Sequence, residues 1–310
     1  MKRIQYHRYG GPETMRLEDF ALDEPRTGQV AVKVKFAAIN PIDWKLRNGL
    51  MKIITGNAFP RAMGMDFSGT VIAVGPGVAR FRPGDAVFGM AQLKQGGAFG
   101  HAVVTDEAFV TQKPDDVSFE NAACLATPGV TAWNGLVDKA GLKAGQHVFV
   151  NGCLGGVGEA TAQIARLLGA TVSGSCSAGA MPRARALGLR NVYDYRTTDL
   201  ARLGERFDVV YDTAATMPTA VGMKLLGRKG VFLDLDPTPA KFLRSMVTRK
   251  LKLVICNARA EILDRVAGAA SEGSLRLPIG EIVPLSGAVR LIGELEAGRK
   301  IEGKGLVAME

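Results

Sequence analysis

Two stretches of this chain carry residue types at spacings from which chemistry can be built. The first is Gly152-Cys-Leu-Gly155-Gly156-Val157-Gly158, preceded by the apolar run Val148-Phe-Val150 and followed by apolar residues at helical spacing, Val157, Ala160, Ile164 and Leu168. Strand, glycine turn and helix in that order aim backbone N–H groups and a helix N-terminus at one point. That is an anion site, and a pyrophosphate is its usual guest. The spacing departs from the strict G-x-G-x-x-G fingerprint, so a tight turn without a ligand is the competing reading. The second stretch is Asn40-Pro-Ile-Asp43-Trp-Lys45, which sets a carboxylate and an ammonium close together at a helix start. By spacing alone these are exposed surface charges, worth little. The four cysteines, Cys124, Cys153, Cys176 and Cys256, include no C-x-x-C pair, so neither a structural zinc site nor a disulfide framework is expected. Cys153 reads as a small buried filler of the glycine turn, with an oxidation-sensitive thiol as the alternative. His7, His101 and His147 are dispersed and read as structural or exposed, His101 alone being worth testing as a proton donor.

The elements that must position these residues fall into two characters. Residues 1–118 read as β-rich. Val30, Val32, Val34 and Phe36 alternate with Ala31, Lys33 and Lys35, and further strands are expected at Phe67–Val74, Ala86–Met90 and Gly96–Val104 between frequent glycine and proline turns. Such spacing suggests a compact antiparallel barrel. From Ser118 helical material begins, and from His147 short apolar strands alternate with helices. Strands are expected at 147–151, 171–176, 191–195, 207–213, 230–236 and 251–257. This is the βαβ pattern of a doubly wound parallel sheet, making the chain α/β. The helix Glu261–Ala270, the segment Glu281–Ser286, a helix near 287–297 and a last strand Gly303–Ala308 are expected to return to the first domain. The domain reading is therefore 1–118, 119–258 and 259–310.

The 310 residues, 47% hydrophobic and 22% charged, suffice for two full cores. No apolar run approaches the roughly 18 residues of a membrane span, and the N-terminus lacks an apolar signal core, so a cytoplasmic protein without a membrane partner is expected. The net charge of +9 is spread over dispersed Lys and Arg residues, which disfavours a nucleic-acid site.

Taken together, Asn40–Gly49, Gly64–Gly75 with Phe81–Gly89, Thr127-Pro-Gly-Val-Thr-Ala-Trp133, and Ala140–Val150 with Gly155-Gly-Val-Gly158 closely resemble the zinc-independent quinone and enone reductases of the medium-chain dehydrogenase/reductase superfamily. The resemblance covers essentially the whole chain. It implies a GroES-like catalytic domain, a Rossmann cofactor domain and a C-terminal tail returning to the former. The positions where zinc relatives carry their ligands look like Pro41–Asp43 and Met65–Asp66, which supply neither thiolate nor imidazole. A hydride leaving a nicotinamide without a Lewis acid favours acceptors that are already electron-poor, such as quinones and α,β-unsaturated carbonyls.

For the cofactor, the second parallel strand ends Ser175-Cys176-Ser177 with no acid to bind a ribose 2′-hydroxyl. The two serines can donate to a 2′-phosphate, with Arg183 near in sequence, and Tyr195 matches a family tyrosine at that phosphate, so NADPH is expected. Relatives often carry a Lys shortly after the serine, which this chain lacks. The glycine turn contributes Gly152, Gly155, Gly156 and Val157 to the pyrophosphate. The resemblance also makes Lys45 the group that orients the nicotinamide amide and the substrate carbonyl, with Asp43 holding it and Asn40 adding a hydrogen bond. Thr127 and Thr131 are assigned to the nicotinamide ribose, Leu235 and Asp236 to the ring, and Lys304 to closure over the cleft. The expected reaction is hydride transfer from NADPH to a quinone or enone β-carbon, in a homodimer formed through Leu251–Cys256. A zinc-free ketone or aldehyde reductase and a non-catalytic NADPH-binding regulatory or RNA-binding protein are the alternatives.

Overall fold

The computed structural model describes residues 1–309 as two compact units, one of residues 1–127 together with the residues from Ala258 onward, the other of Pro128–Asn257. The hub of the first unit is the strand Gln29–Ala38. It pairs antiparallel with Asp66–Val74, Ala102–Asp106 and the C-terminal strand Lys304–Ala308. The sheet runs Ile279–Pro284, Lys304–Ala308, Gln29–Ala38, Asp66–Val74, Ala86–Met90 and Val110–Gln112. A smaller sheet orders Met15–Asp19, Lys2–Tyr6 and Arg61–Ala62. Val30, Val32 and Val34 are buried while Lys33 and Lys35 are exposed, as period-two alternation requires. The alternation then slips: a register shift between Val34 and Phe36 leaves Phe36 only half-buried and turns Ala37 inward. The expected strand Gly96–Val104 begins only at Ala102, because Gly96 and Gly97 take positive φ angles of 62° and 119°.

The first unit extends past Ser118 to Thr127. Ser118 caps the helix Phe119–Ala123 by accepting from the Asn121 N–H at 3.2 Å, and Ser68 Oγ donates to the Phe119 carbonyl at 2.6 Å. These bonds tie the helix to the β-rich unit.

The second unit is a six-stranded parallel sheet in the order Val192–Asp194, Thr171–Cys176, His147–Asn151, Phe207–Asp212, Leu226–Asp234 and Leu251–Leu253. In chain order this is 3-2-1-4-5-6, the doubly wound dinucleotide topology. Val148, Phe149 and Val150 are wholly buried, as a central parallel strand covered on both faces should be. The strand expected at 251–257 ends at Leu253 in the ladder, and that expected at 230–236 runs from Leu226 to Asp234. Four central strands end in polar side chains: Asn151, Ser175 with Cys176, Asp212 and Asp234. These lie at the carboxyl edge, where open α/β sheets bind ligands.

Candidate functional site

In the second unit the glycine turn is built by close approach. Gly152 has φ 76°, and a Cβ on Gly158 would lie 2.0 Å from the Gly152 carbonyl oxygen. The helix Gly156–Leu167 can therefore start against the turn only if position 158 is glycine. Its N-cap, Gly155, is exposed and supplies no side-chain cap, as at helix starts that receive an anion. Beneath the turn runs a buried polar network. Asn151 Nδ2 donates to Asp212 Oδ1 at 2.7 Å and to Thr216 Oγ1 at 3.1 Å, and Ser175 Oγ donates to Asn151 Oδ1 at 2.6 Å. Burial raises the Asp212 carboxyl, partly offset by the Asn151 amide.

This geometry separates the two serines. Ser175 still lies inside the strand ladder, is fully buried and spends its hydroxyl on Asn151, so the expected 2′-phosphate donor is instead a brace of the turn. Ser177 lies just past the ladder, half-exposed, with no side-chain capping bond. Arg183 is likewise committed: its guanidinium pairs with the buried Glu159 carboxylate of the glycine-turn helix. That pairing neutralises an acid that would otherwise oppose an anion at the same helix start. Cys176 and Cys153 are both buried with their thiols in contact, and burial raises both pKa values. Cys153 is the filler, packed where Gly174 leaves room. The Tyr195 N–H donates to the Cys176 carbonyl at 3.2 Å, which brings the exposed Tyr195 and Arg196 beside the end of the second strand. Arg196 was missed by sequence reading; a cation directly after the third strand is the signal that could have found it. Thr131 is buried, its carbonyl accepting from Tyr211 Oη at 3.0 Å. Leu235 and Asp236 form the turn after Leu226–Asp234, with Asp236 paired to Lys241 at 3.0 Å.

In the first unit a second polar network gathers residues from four chain segments. Asn40 caps the helix Pro41–Arg47, with Pro41 pre-set at its first position. Asn40 Nδ2 donates to Asp66 Oδ2 at 2.9 Å, and its Oδ1 accepts from Lys304 Nζ at 2.5 Å. Lys304 Nζ also donates to the Ile39 carbonyl at 2.9 Å. The Thr127 hydroxyl and N–H donate to Asp66 at 2.5 and 3.0 Å. Asp43 Oδ2 accepts from the Asn40 N–H at 2.7 Å. Burial pushes the Asp43 carboxyl up to about 8, with the Asp66 charge adding and the Asn40 N–H and Lys304 opposing. Burial raises Asp66 too, against Lys304, Thr127 and Asn40.

Three expectations are corrected here. Asp43 does not hold Lys45: residues two apart on a helix point to different sides, so Asp43 is buried against Asn40 while Lys45 is exposed. The Asn40 amide is engaged inside the chain: its Nδ2 donates to Asp66 and Ala38, and its Oδ1 accepts from Lys304. Lys304 is an interior cross-link between the terminal strand and the Asn40 segment rather than a closing group. Asp66, the centre of the network, was not among the expected site residues, although the resemblance sets Met65–Asp66 where zinc relatives carry a ligand; a carboxylate opening a strand with no other charge is the signal in sequence. His101 Nδ1 accepts from the Lys2 N–H at 3.3 Å, and His147 Nε2 lies 2.9 Å from Ser173 Oγ, both structural contacts.

Comparison with known proteins agrees with this architecture. Residues 26–115 match the alcohol dehydrogenase GroES-like domain and residues 187–307 the zinc-binding dehydrogenase domain. A 2-methylene-furan-3-one reductase of Solanum lycopersicum is 34% identical over 257 residues, covering 80% of this chain and 66% of the relative. The solved quinone oxidoreductase of Coxiella burnetii is 30% identical, covers 100% of this chain and 99% of its own, and superposes with a TM-score of 0.90. The Escherichia coli quinone oxidoreductase solved with NADPH is 25% identical, with coverage of 99% and 100% and a TM-score of 0.84. With a GroES-like β unit, a 3-2-1-4-5-6 parallel sheet and a solved quinone oxidoreductase matching it along its whole length, the chain belongs to the quinone oxidoreductase family of the medium-chain dehydrogenase/reductases.

Proposed function

We propose that this protein is an NADPH-dependent oxidoreductase that reduces a quinone or the C=C bond of an α,β-unsaturated carbonyl without zinc. The observation that carries the cofactor choice is the end of the second parallel strand. Ser177 stands half-exposed there beside Tyr195 and Arg196, and no carboxylate follows the strand to bind a ribose 2′-hydroxyl. The Gly155–Gly158 helix start fits a pyrophosphate, because it is uncapped and a Cβ at 158 would close it. The E. coli relative solved with NADPH supports the same reading, and the tomato furanone reductase supports an unsaturated carbonyl as acceptor.

When bound, the reduced nicotinamide supplies the hydride. Lys45 is the cation we assign to the acceptor oxygen, where negative charge develops. The Asn40–Asp66–Lys304 network positions its helix from behind. Water supplies the proton. Zinc does not fit the residues present. Asn40 donates to both Asp43 and Asp66 and accepts from Lys304, Thr127 donates to Asp66, and the nearby Cys124 thiol donates to the Glu120 carbonyl and is pushed up to about 12 by burial. A homodimer is proposed along the outer edge of Leu251–Leu253, the last strand of its sheet, next to the exposed Ile255.

The test is steady-state turnover with an enone and its saturated analogue. Reduction of the enone with the saturated ketone untouched is expected. Reduction of the saturated carbonyl alone would instead make the protein a zinc-free carbonyl reductase. NADPH binding without oxidation across enone and quinone panels would point to a regulatory role.

A further inference from the structure

The helix Pro239–Val247 buries none of its residues. Phe242, Leu243, Met246 and Val247 are 58, 66, 73 and 89% exposed. At spacings of three and four they form one continuous apolar stripe on the helix surface. Scattered exposed apolar residues are ordinary, but four in one stripe of a short helix mark an interaction surface.

The surrounding charge selects the partner. From Pro237 to Asn257 the chain carries Lys241, Arg244, Arg249, Lys250 and Lys252 and no Asp or Glu. Lys241 is tied to Asp234 and Asp236, and Lys252 Nζ donates to the Lys139 carbonyl at 2.6 Å. Arg244, Arg249 and Lys250 are exposed and have no acidic partner among the described residues. An apolar stripe bordered by unpaired cations is the pattern of a helix lying in a membrane interface, with rings and alkyl chains below the headgroups and Lys and Arg among anionic ones. A second copy is a poorer occupant, because an isologous contact on this helix would bring the same cations against each other.

We propose that Pro239–Val247, with Arg249 and Lys250, is a peripheral docking surface for anionic lipid bilayers. It needs no spanning segment; no helix among the described residues is long and apolar enough to cross a membrane. The proposal stands independently of the reduction chemistry.

The test is co-sedimentation of the full chain with vesicles of phosphatidylglycerol and phosphatidylcholine, against phosphatidylcholine alone, at low and high salt. Binding to the anionic vesicles only, weakened by salt, is expected. Both F242S/M246S and R249E/K250E should reduce the bound fraction on the order of tenfold, with thermal unfolding and turnover on a water-soluble quinone unchanged. Failure of the parent to bind anionic vesicles overturns the proposal, as does equal binding by parent and both variants. It is also overturned if sedimentation velocity shows a dimer that F242S/M246S converts to monomer, which would make the stripe an interface between copies. Loss of turnover in the parent itself would count against the proposed reaction and leave this test intact.

Discussion

Asp43→Asn isolates a buried carboxyl of the first unit whose pKa is raised well above the ordinary range. The parent carboxyl is buried against the Asn40 N–H and titrates at about 8 in the folded chain, whereas an unfolded Asp titrates near 3.9. The folded pKa is raised, so folding takes up a proton between those values. The contribution to stability is complete below about pH 4 and is lost as pH rises through about 8. Within that window the parent loses about 1.4 kcal/mol per pH unit relative to a variant that cannot ionise. From pH 5 to 7 that is about 3 kcal/mol, or a Tm difference changing by roughly 6–12 °C for a unit of this size. The Asn amide adds an offset of its own, against which the pH trend is read. The assay is thermal unfolding of parent and Asp43→Asn at pH 5, 6 and 7. The gap should move steadily in favour of the variant as pH rises. Parallel Tm curves would mean that Asp43 ionises as an ordinary surface carboxyl does, and the reasoning from its burial would fail.

Gly158→Ala sets a Cβ 2.0 Å from the Gly152 carbonyl oxygen, so the turn must open. It should cost roughly 1–3 kcal/mol of stability and weaken NADPH binding at least tenfold by fluorescence titration. Lys45→Met should lower kcat/KM for the acceptor on the order of tenfold or more with Tm unchanged, because the residue is exposed and its proposed role is at the acceptor oxygen. Arg183→Gln should leave the ratio of NADPH to NADH affinity unaltered, because its guanidinium is engaged with Glu159; a selective loss of NADPH affinity would reassign it to the phosphate.

Much of this protein is legible in its sequence, for identifiable reasons. The parallel strands announce themselves as short apolar runs because both faces are covered, and the glycine turn because only glycine tolerates the Gly152–Gly158 approach. The side-chain networks are not legible, because periodicity carries no information about partners far apart in the chain. Lys304 reaches Asn40 across 264 residues, and Thr127 reaches Asp66 across 61. The serine pair shows the limit at short range. Ser175 and Ser177 share strand parity, and what separates them is where the ladder stops, a boundary set by neighbouring strands. The slip at Val34/Phe36 has the same origin, since a bulge is decided by the partner strand.

The central claim is that this chain selects NADPH through Ser177 at the end of its second parallel strand. Dissociation constants for NADPH and NADH, measured on the parent and on Ser177→Asp, test it most directly. The parent should bind NADPH the more tightly. The introduced carboxylate should weaken NADPH on the order of tenfold or more while leaving NADH equal or improved. NADH binding the parent as tightly as NADPH, or the substitution weakening both cofactors equally, would contradict the claim.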